Sequence, residues 1–151
     1  MKVIKLSELK FSQEIELIPF EVKEDGVEVK FYSEGVQAGF PSPADDFKEE
    51  KLSLDKRYLS NPDATYLIRV AGNSMVPTLE INDILVVRSD FELKDKCVVI
   101  VSVNNTEFTV KRYNEDNKEL IADNPDFPNI KIGEDDTLIC LGIVKNLIRD
   151  L

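Results

Sequence analysis

The chain has 151 residues, 42% of them hydrophobic and 32% charged, which suits one globular domain with a useful core. Its formal net charge of −10, with no basic stripe, argues against autonomous binding of nucleic acid, because a phosphate backbone rewards clustered Lys and Arg; any role in DNA metabolism is expected to run through a protein partner. There is no histidine, which excludes Ser-His-Asp and Cys-His hydrolases and removes the commonest metal ligand, so a nucleophile must take its base from Lys, Asp, Glu, Tyr or a terminal amine.

No charged leader with an apolar stretch opens the chain, and no run approaches a membrane helix, so neither a signal peptide nor a membrane span is expected. Residues 14–32 hold two short apolar-alternating runs around Glu24-Asp25-Gly26, a turn signal that predicts a hairpin; Pro19 limits the first run to an edge strand. Residues 33–51 carry two glycines, two prolines and the acidic pair Asp45-Asp46, the composition of an exposed connector. Ser53 is placed to cap a short helix over Leu54–Leu59, stopped by Asn61-Pro62. From Thr65 onward strands are predicted at Thr65–Val70, Ile84–Val87, Val98–Val103, Glu107–Tyr113, Glu119–Ala122 and Leu138–Ile148, with a tight turn at Asn104-Asn105. Short successive strands without a long helix imply a mostly-β domain, a curled sheet or small barrel. Cys97 and Cys140 sit in apolar runs and are expected to be reduced, buried strand residues of a cytosolic protein. Asp135-Asp136 reads as solvated surface, and Asp123-Asn124-Pro125-Asp126 as a turn, since it lacks the Gly and Glu of a calcium loop.

Three short segments bear on chemistry. Gly72-Asn73-Ser74-Met75 leaves a strand and turns sharply, with Gly72 allowing the bend. Ser74 then stands just past the strand end, where backbone N–H groups can converge on one oxygen. Lys111 lies on a strand with Thr109 and Tyr113 on its face and Phe108 and Val110 on the other. It is either a solvated lysine or one withdrawn from solvent beside Ser74, where burial would lower its pKa and let a neutral amine take the serine proton. Ala38-Gly39 in the connector are small enough for extended backbone to lie in a narrow cleft.

Taken in order, Ala38-Gly39, Gly72-Asn73-Ser74-Met75 and Phe108-Thr109-Val110-Lys111 resemble the LexA/UmuD family of self-cleaving proteins of the bacterial DNA-damage (SOS) response, over roughly residues 35–148. Gly39-Phe40-Pro41-Ser42-Pro43-Ala44 and Asn61-Pro62-Asp63-Ala64-Thr65-Tyr66 look like its UmuD branch, and Ile81-Asn82-Asp83-Ile84-Leu85 like the family's Gly-Asp turn, with Asn82 in place of glycine. The resemblance implies Ser74 as nucleophile, Lys111 as general base, Ala38–Gly39 as the scissile bond, and an oxyanion site from backbone N–H groups around Asn73 and Ser74, with no metal and no cofactor. It implies a highly curved antiparallel sheet or small pseudo-barrel of the LexA C-terminal, signal-peptidase-like type. The implied divisions are a removable extended arm at 1–38, a connector at 39–52 and a β domain at 53–151. It further implies a cytoplasmic homodimer, a RecA filament on single-stranded DNA as trigger, and a UmuC-like translesion polymerase as partner. The alternative is a LexA-like or phage-type self-cleaving regulator, here without a helix-turn-helix domain, since the segment before the cut is short and strand-like rather than helical.

Overall fold

The computed structural model describes residues 9–23, 28–32 and 49–151. They fall into two compact units, one from the described parts of 1–20 and 63–151, the other from those of 21–62. Ten strands occur among the described residues: β1 (Ile15–Ile18), β2 (Glu28–Tyr32), β3 (Glu49–Ser53), β4 (Thr65–Val70), β5 (Ile84–Arg88), β6 (Val98–Val103), β7 (Thr109–Asn114), β8 (Glu119–Ile121), β9 (Ile130–Lys131) and β10 (Leu138–Ile148).

The smaller unit pairs β2 with β3 antiparallel, Val29 opposite Leu52, and continues into a short helix, α1 (Leu54–Tyr58). The Ser53 hydroxyl accepts from the Lys56 N–H at 3.4 Å, the cap expected from the sequence. Among the described residues the two runs of the hairpin predicted over 14–32 do not pair with each other, and its turn at Glu24-Asp25-Gly26 lies outside them. Its first run instead becomes β1, which pairs with β4, and its second becomes β2, which pairs with β3. Turn chemistry is local, but Ile15 finds its apolar neighbours opposite Val70, and that burial decides the pairing.

The larger unit is an eight-stranded antiparallel sheet in the order β1-β4-β5-β10-β6-β7-β8-β9. Pro19 directly follows β1, and β1 lies at the sheet edge, where a missing N–H costs no ladder bond. The sheet curls strongly. Phe11, just before edge strand β1, bridges to Phe108, just before β7, although four strands lie between β1 and β7 in the sheet order. Phe108 accepts from the Ser12 N–H at 2.9 Å and donates to the Lys10 carbonyl at 2.8 Å, and the two rings stand 6.0 Å apart. Strand β10 supplies more of the bend. It pairs with β6 through its first half and β5 through its second, with register shifts between Cys140 and Gly142 and between Val144 and Asn146. A Cβ at Gly142 would lie 2.7 Å from the Arg88 carbonyl oxygen, so glycine lets the two backbones approach at the crossing.

Alternating strand residues feed two clusters. Ile68, Leu85, Ile100 and Val110 pack in one cluster with Met75 and Leu79, while Val99, Val101, Tyr113 and Leu120 form the second. Leu85→Ala, at a fully buried position, is expected to cost about 3 kcal/mol, read as a lower urea midpoint with an unchanged slope. Cys97 is half-buried just ahead of β6, and Cys140 is exposed, not buried as its apolar surroundings suggested; it sits at the first register shift of β10, where strict alternation breaks. Both thiols are free. Asn104 and Asn105 do adopt positive φ, 53° and 58°. The turn continues to Phe108, so β7 begins at Thr109 rather than at residue 107.

Candidate active site

Strand β4 ends at Val70 and hands the chain to a turn over residues 71–79. Two anchors hold its ends. The Val70 N–H donates to the Asp83 carbonyl at 2.9 Å, and the Asn82 N–H to the Val70 carbonyl at 2.8 Å, with Asn82 at φ 76° as the Asn-for-Gly reading requires. Asp83 is buried and paired with Arg149, whose Nε and Nη2 reach its two oxygens at 2.7 and 2.6 Å. The Arg149 guanidinium holds the Asp83 carboxyl below its usual pKa, aided by the Glu80 N–H, against the opposing effect of burial. Within the turn, Met75 and Leu79 drop into the core, and the Leu79 N–H donates to the Met75 carbonyl at 2.9 Å.

This fixes Ser74, which is 1% exposed. Asn124 engages the outer backbone of the turn: its N–H donates to the Ser74 carbonyl at 3.0 Å and its side-chain amide to the Asn73 carbonyl at 2.9 Å. Lys111 arrives on β7, opposite Val99 of β6, and is 7% exposed. Its Nζ lies 3.2 Å from Ser74 Oγ, within hydrogen-bond reach. Burial lowers the lysine pKa; the negative charge of Glu14 opposes this in part. Of the two readings that the sequence left open for Lys111, the buried one holds. An ammonium here donates to Oγ, whereas a neutral amine accepts the hydroxyl proton, so the pair is chemically poised for deprotonation of serine.

Three further groups surround the pair. Asp123 receives Arg112 Nε at 2.8 Å and Nη2 at 2.7 Å, and also the Thr78 hydroxyl at 2.5 Å. Arg112 adjoins Lys111, and Thr78 belongs to the serine turn, so one carboxylate ties the two halves of the pair together. Arg112 and Thr78 both lower the Asp123 pKa, Arg112 the more strongly. Glu14 places its Oε2 3.4 Å from the Ser74 N–H. Gly72 has no positive φ, so the bend does not itself require glycine; a Cβ there would displace the Glu14 carboxylate, the movable end of a flexible side chain. Asp123 was read from sequence as part of a surface turn and Glu14 as an ordinary strand residue. The one available signal for Asp123 was its offset along the β7–β8 hairpin, in which Arg112 faces Ile121. Ala38 and Gly39 lie outside the described residues. Among the described residues no group of three His, Cys, Asp or Glu side chains gathers to hold a metal ion, and no helix is long and apolar enough to cross a membrane.

Comparison with known proteins places this geometry in context. The family described as Peptidase S24-like matches residues 30–145. A LexA repressor from Acidithiobacillus ferrooxidans is 41% identical over 120 residues, which cover 76% of this chain and 58% of that protein. Protein MucA of Salmonella typhimurium is 38% identical over 85 residues, 56% of this chain and 58% of MucA. Protein ImpA of Salmonella typhimurium is 31% identical over 119 residues, 78% of this chain and 81% of ImpA. The chain thus spans less than two thirds of the LexA and MucA relatives.

Proposed function

The chain belongs to the Peptidase S24-like family, and from that premise we propose that it is a serine peptidase that cuts its own Ala38–Gly39 bond with Ser74 as nucleophile and Lys111 as general base. The observation that carries the reading is the 3.2 Å approach of Lys111 Nζ to a buried Ser74 Oγ. Ser74 Oγ attacks the Ala38 carbonyl carbon while its proton passes to the neutral Lys111 amine. The carbonyl oxygen takes the negative charge and is met by backbone N–H groups around Asn73 and Ser74. On collapse the C–N bond breaks, and Lys111 returns the proton to the Gly39 nitrogen. Water, deprotonated by the same amine, then hydrolyses the acyl-enzyme and restores Ser74. Because the scissile bond is tethered to the nucleophile, attack is effectively unimolecular, and positioning governs its rate.

In this reading residues 1–38 form a removable arm, 39–52 a connector and 53–151 the serine–lysine β domain, and the processed product runs from Gly39 to Leu151. The processed product acts as a dimeric, cytoplasmic subunit of a UmuC-like translesion polymerase, and a RecA filament on single-stranded DNA favours the cleavable pose. The resemblance of Gly39–Ala44 and Asn61–Tyr66 to UmuD segments supports the polymerase-linked role. The 41% identity to a protein named as a repressor supports a second reading, a self-cleaving regulator that borrows its DNA-binding partner. Co-purification separates the two: a polymerase partner supports the first, a DNA-binding partner the second.

The cleavage itself is tested by incubating purified protein at alkaline pH and weighing the fragments. A product beginning at Gly39 is expected from the wild type and not from Ser74→Ala. Cleavage at that bond by Ser74→Ala would refute the assignment.

A further inference from the structure

The Glu14 carboxylate stands where an inhibitor of the proposed reaction would stand. Its Oε2 is 3.4 Å from the Ser74 N–H, one of the donors that the developing oxyanion needs. The placement is built in. The Glu14 carbonyl accepts from the Ala71 N–H at 2.7 Å, and the Glu14 N–H donates to the Ser12 hydroxyl at 3.2 Å. The next residue, Ile15, is 4% exposed in the core. The absence of a side chain at Gly72 opens the space that the carboxylate fills.

We propose that Glu14 is a brake on self-cleavage: its carboxylate occupies the Ser74 N–H that the scissile carbonyl oxygen must use, and cutting requires it to withdraw. This rests on the Ser74–Lys111 reading above. A carboxylate opposes the reaction in two ways. It competes for the N–H and repels the negative charge that develops on the substrate oxygen. Its charge also favours the ammonium form of Lys111, which cannot take a proton. Few other charges face it among the described residues. Lys111 comes from β7. The turn over 71–79 carries no ionisable side chain. Arg69 of β4 lies 3.8 Å from Glu16 in an ion pair, and on its own segment the nearest charges are Lys10 and Glu16. The brake belongs to the proposed arm, so the product from Gly39 onward loses it only when the strand Ile15–Ile18 is released.

The test compares wild type, Glu14→Gln and Glu14→Ala for self-cleavage rate against pH. Glu14→Gln is expected to cut faster, roughly tenfold near neutral pH if the lysine midpoint falls by one unit, with the profile moved to lower pH. Glu14→Ala, which also vacates the N–H, is expected to cut faster still. A second readout does not depend on cutting: in a Ser74→Ala background, NMR titration of the Lys111 ε-carbon is expected to give a lower midpoint with Glu14→Gln. Slower cleavage, or an unchanged rate and midpoint, overturns the brake. If Ser74→Ala abolishes cutting while Glu14→Gln changes nothing, the brake is wrong and the serine–lysine reading stands. If Ser74→Ala still cuts at Gly39, that reading falls, and the brake on it falls with it.

Discussion

Lys111→Met is expected to abolish self-cleavage, by about a thousandfold or more, and at the same time to make the protein more stable near neutral pH. The first effect follows from removal of the group nearest the hydroxyl, since a positioned base contributes about 10²–10⁴-fold. The second follows from burial. Lys111 is 7% exposed, and desolvation is the largest influence on its pKa, lowering it from 10.5. A basic group with a depressed folded pKa binds its proton more weakly in the native than in the unfolded chain. Its burial cost is therefore fully present below the folded pKa and falls away as pH rises from there towards 10.5. Methionine has a similar shape and no charge to desolvate, so a gain of about 1–2 kcal/mol is expected at pH 7. Urea denaturation from pH 6 to 10, run on a Ser74→Ala background to prevent cutting, checks the sign: the advantage of Lys111→Met should shrink as pH rises. The wild-type cleavage rate should climb over the same range, as the neutral amine accumulates. A rate independent of pH would exclude a lysine base.

Asp123→Ala is expected to slow self-cleavage by about 10–100-fold without moving the pH midpoint. Asp123 touches neither Ser74 Oγ nor Lys111 Nζ in any hydrogen bond. It binds Arg112, beside the lysine, and Thr78, in the serine turn. Its own N–H also lies 3.5 Å from Met75 Sδ, next to Ser74. Releasing the side-chain ties to Arg112 and Thr78 lets the turn shift against β7, and a displacement near 1 Å costs about a hundredfold in a reaction governed by positioning. The lysine keeps its burial and its neighbour Glu14, so its titration should stay where it is. A shifted midpoint would mean that Asp123 acts electrostatically instead. Asp123→Asn, which keeps the shape and can still meet Thr78, should recover part of the loss.

How far the sequence led depends on whether the information was local. The β-branched runs marked β4, β5, β6 and β10 within a residue or so, because strand-forming residues and turn residues alternate plainly there. Ser74 and Lys111 were nameable because each stands in a recognisable segment, and their proximity is a property of the fold that those segments announce. Pairings between distant segments were not legible. The Asp25-Gly26 signal favoured a hairpin, yet Ile15 crosses to Val70 because only there does it reach the core. Glu14 could not be read as part of the site for the same reason: its place beside Ser74 depends on that long-range pairing. The two-residue strand Ile130–Lys131 is too short to leave a pattern. Cys140 misled because alternation cannot be projected through a register shift.

The edge position of β1 means that severing the chain after residue 38 would not by itself part the pieces. The N-terminal piece would still be laced to the body along Ile15–Ile18 against β4 and along Glu28–Tyr32 against β3. Ile15 alone, nested in apolar surroundings, contributes about 2 kcal/mol to that grip. Hydrolysis and shedding are thus separate events. A denaturing gel would report the nick at once, while the native mass would stay whole until the strand peels away and bares the ladder groups of β4 to a new companion.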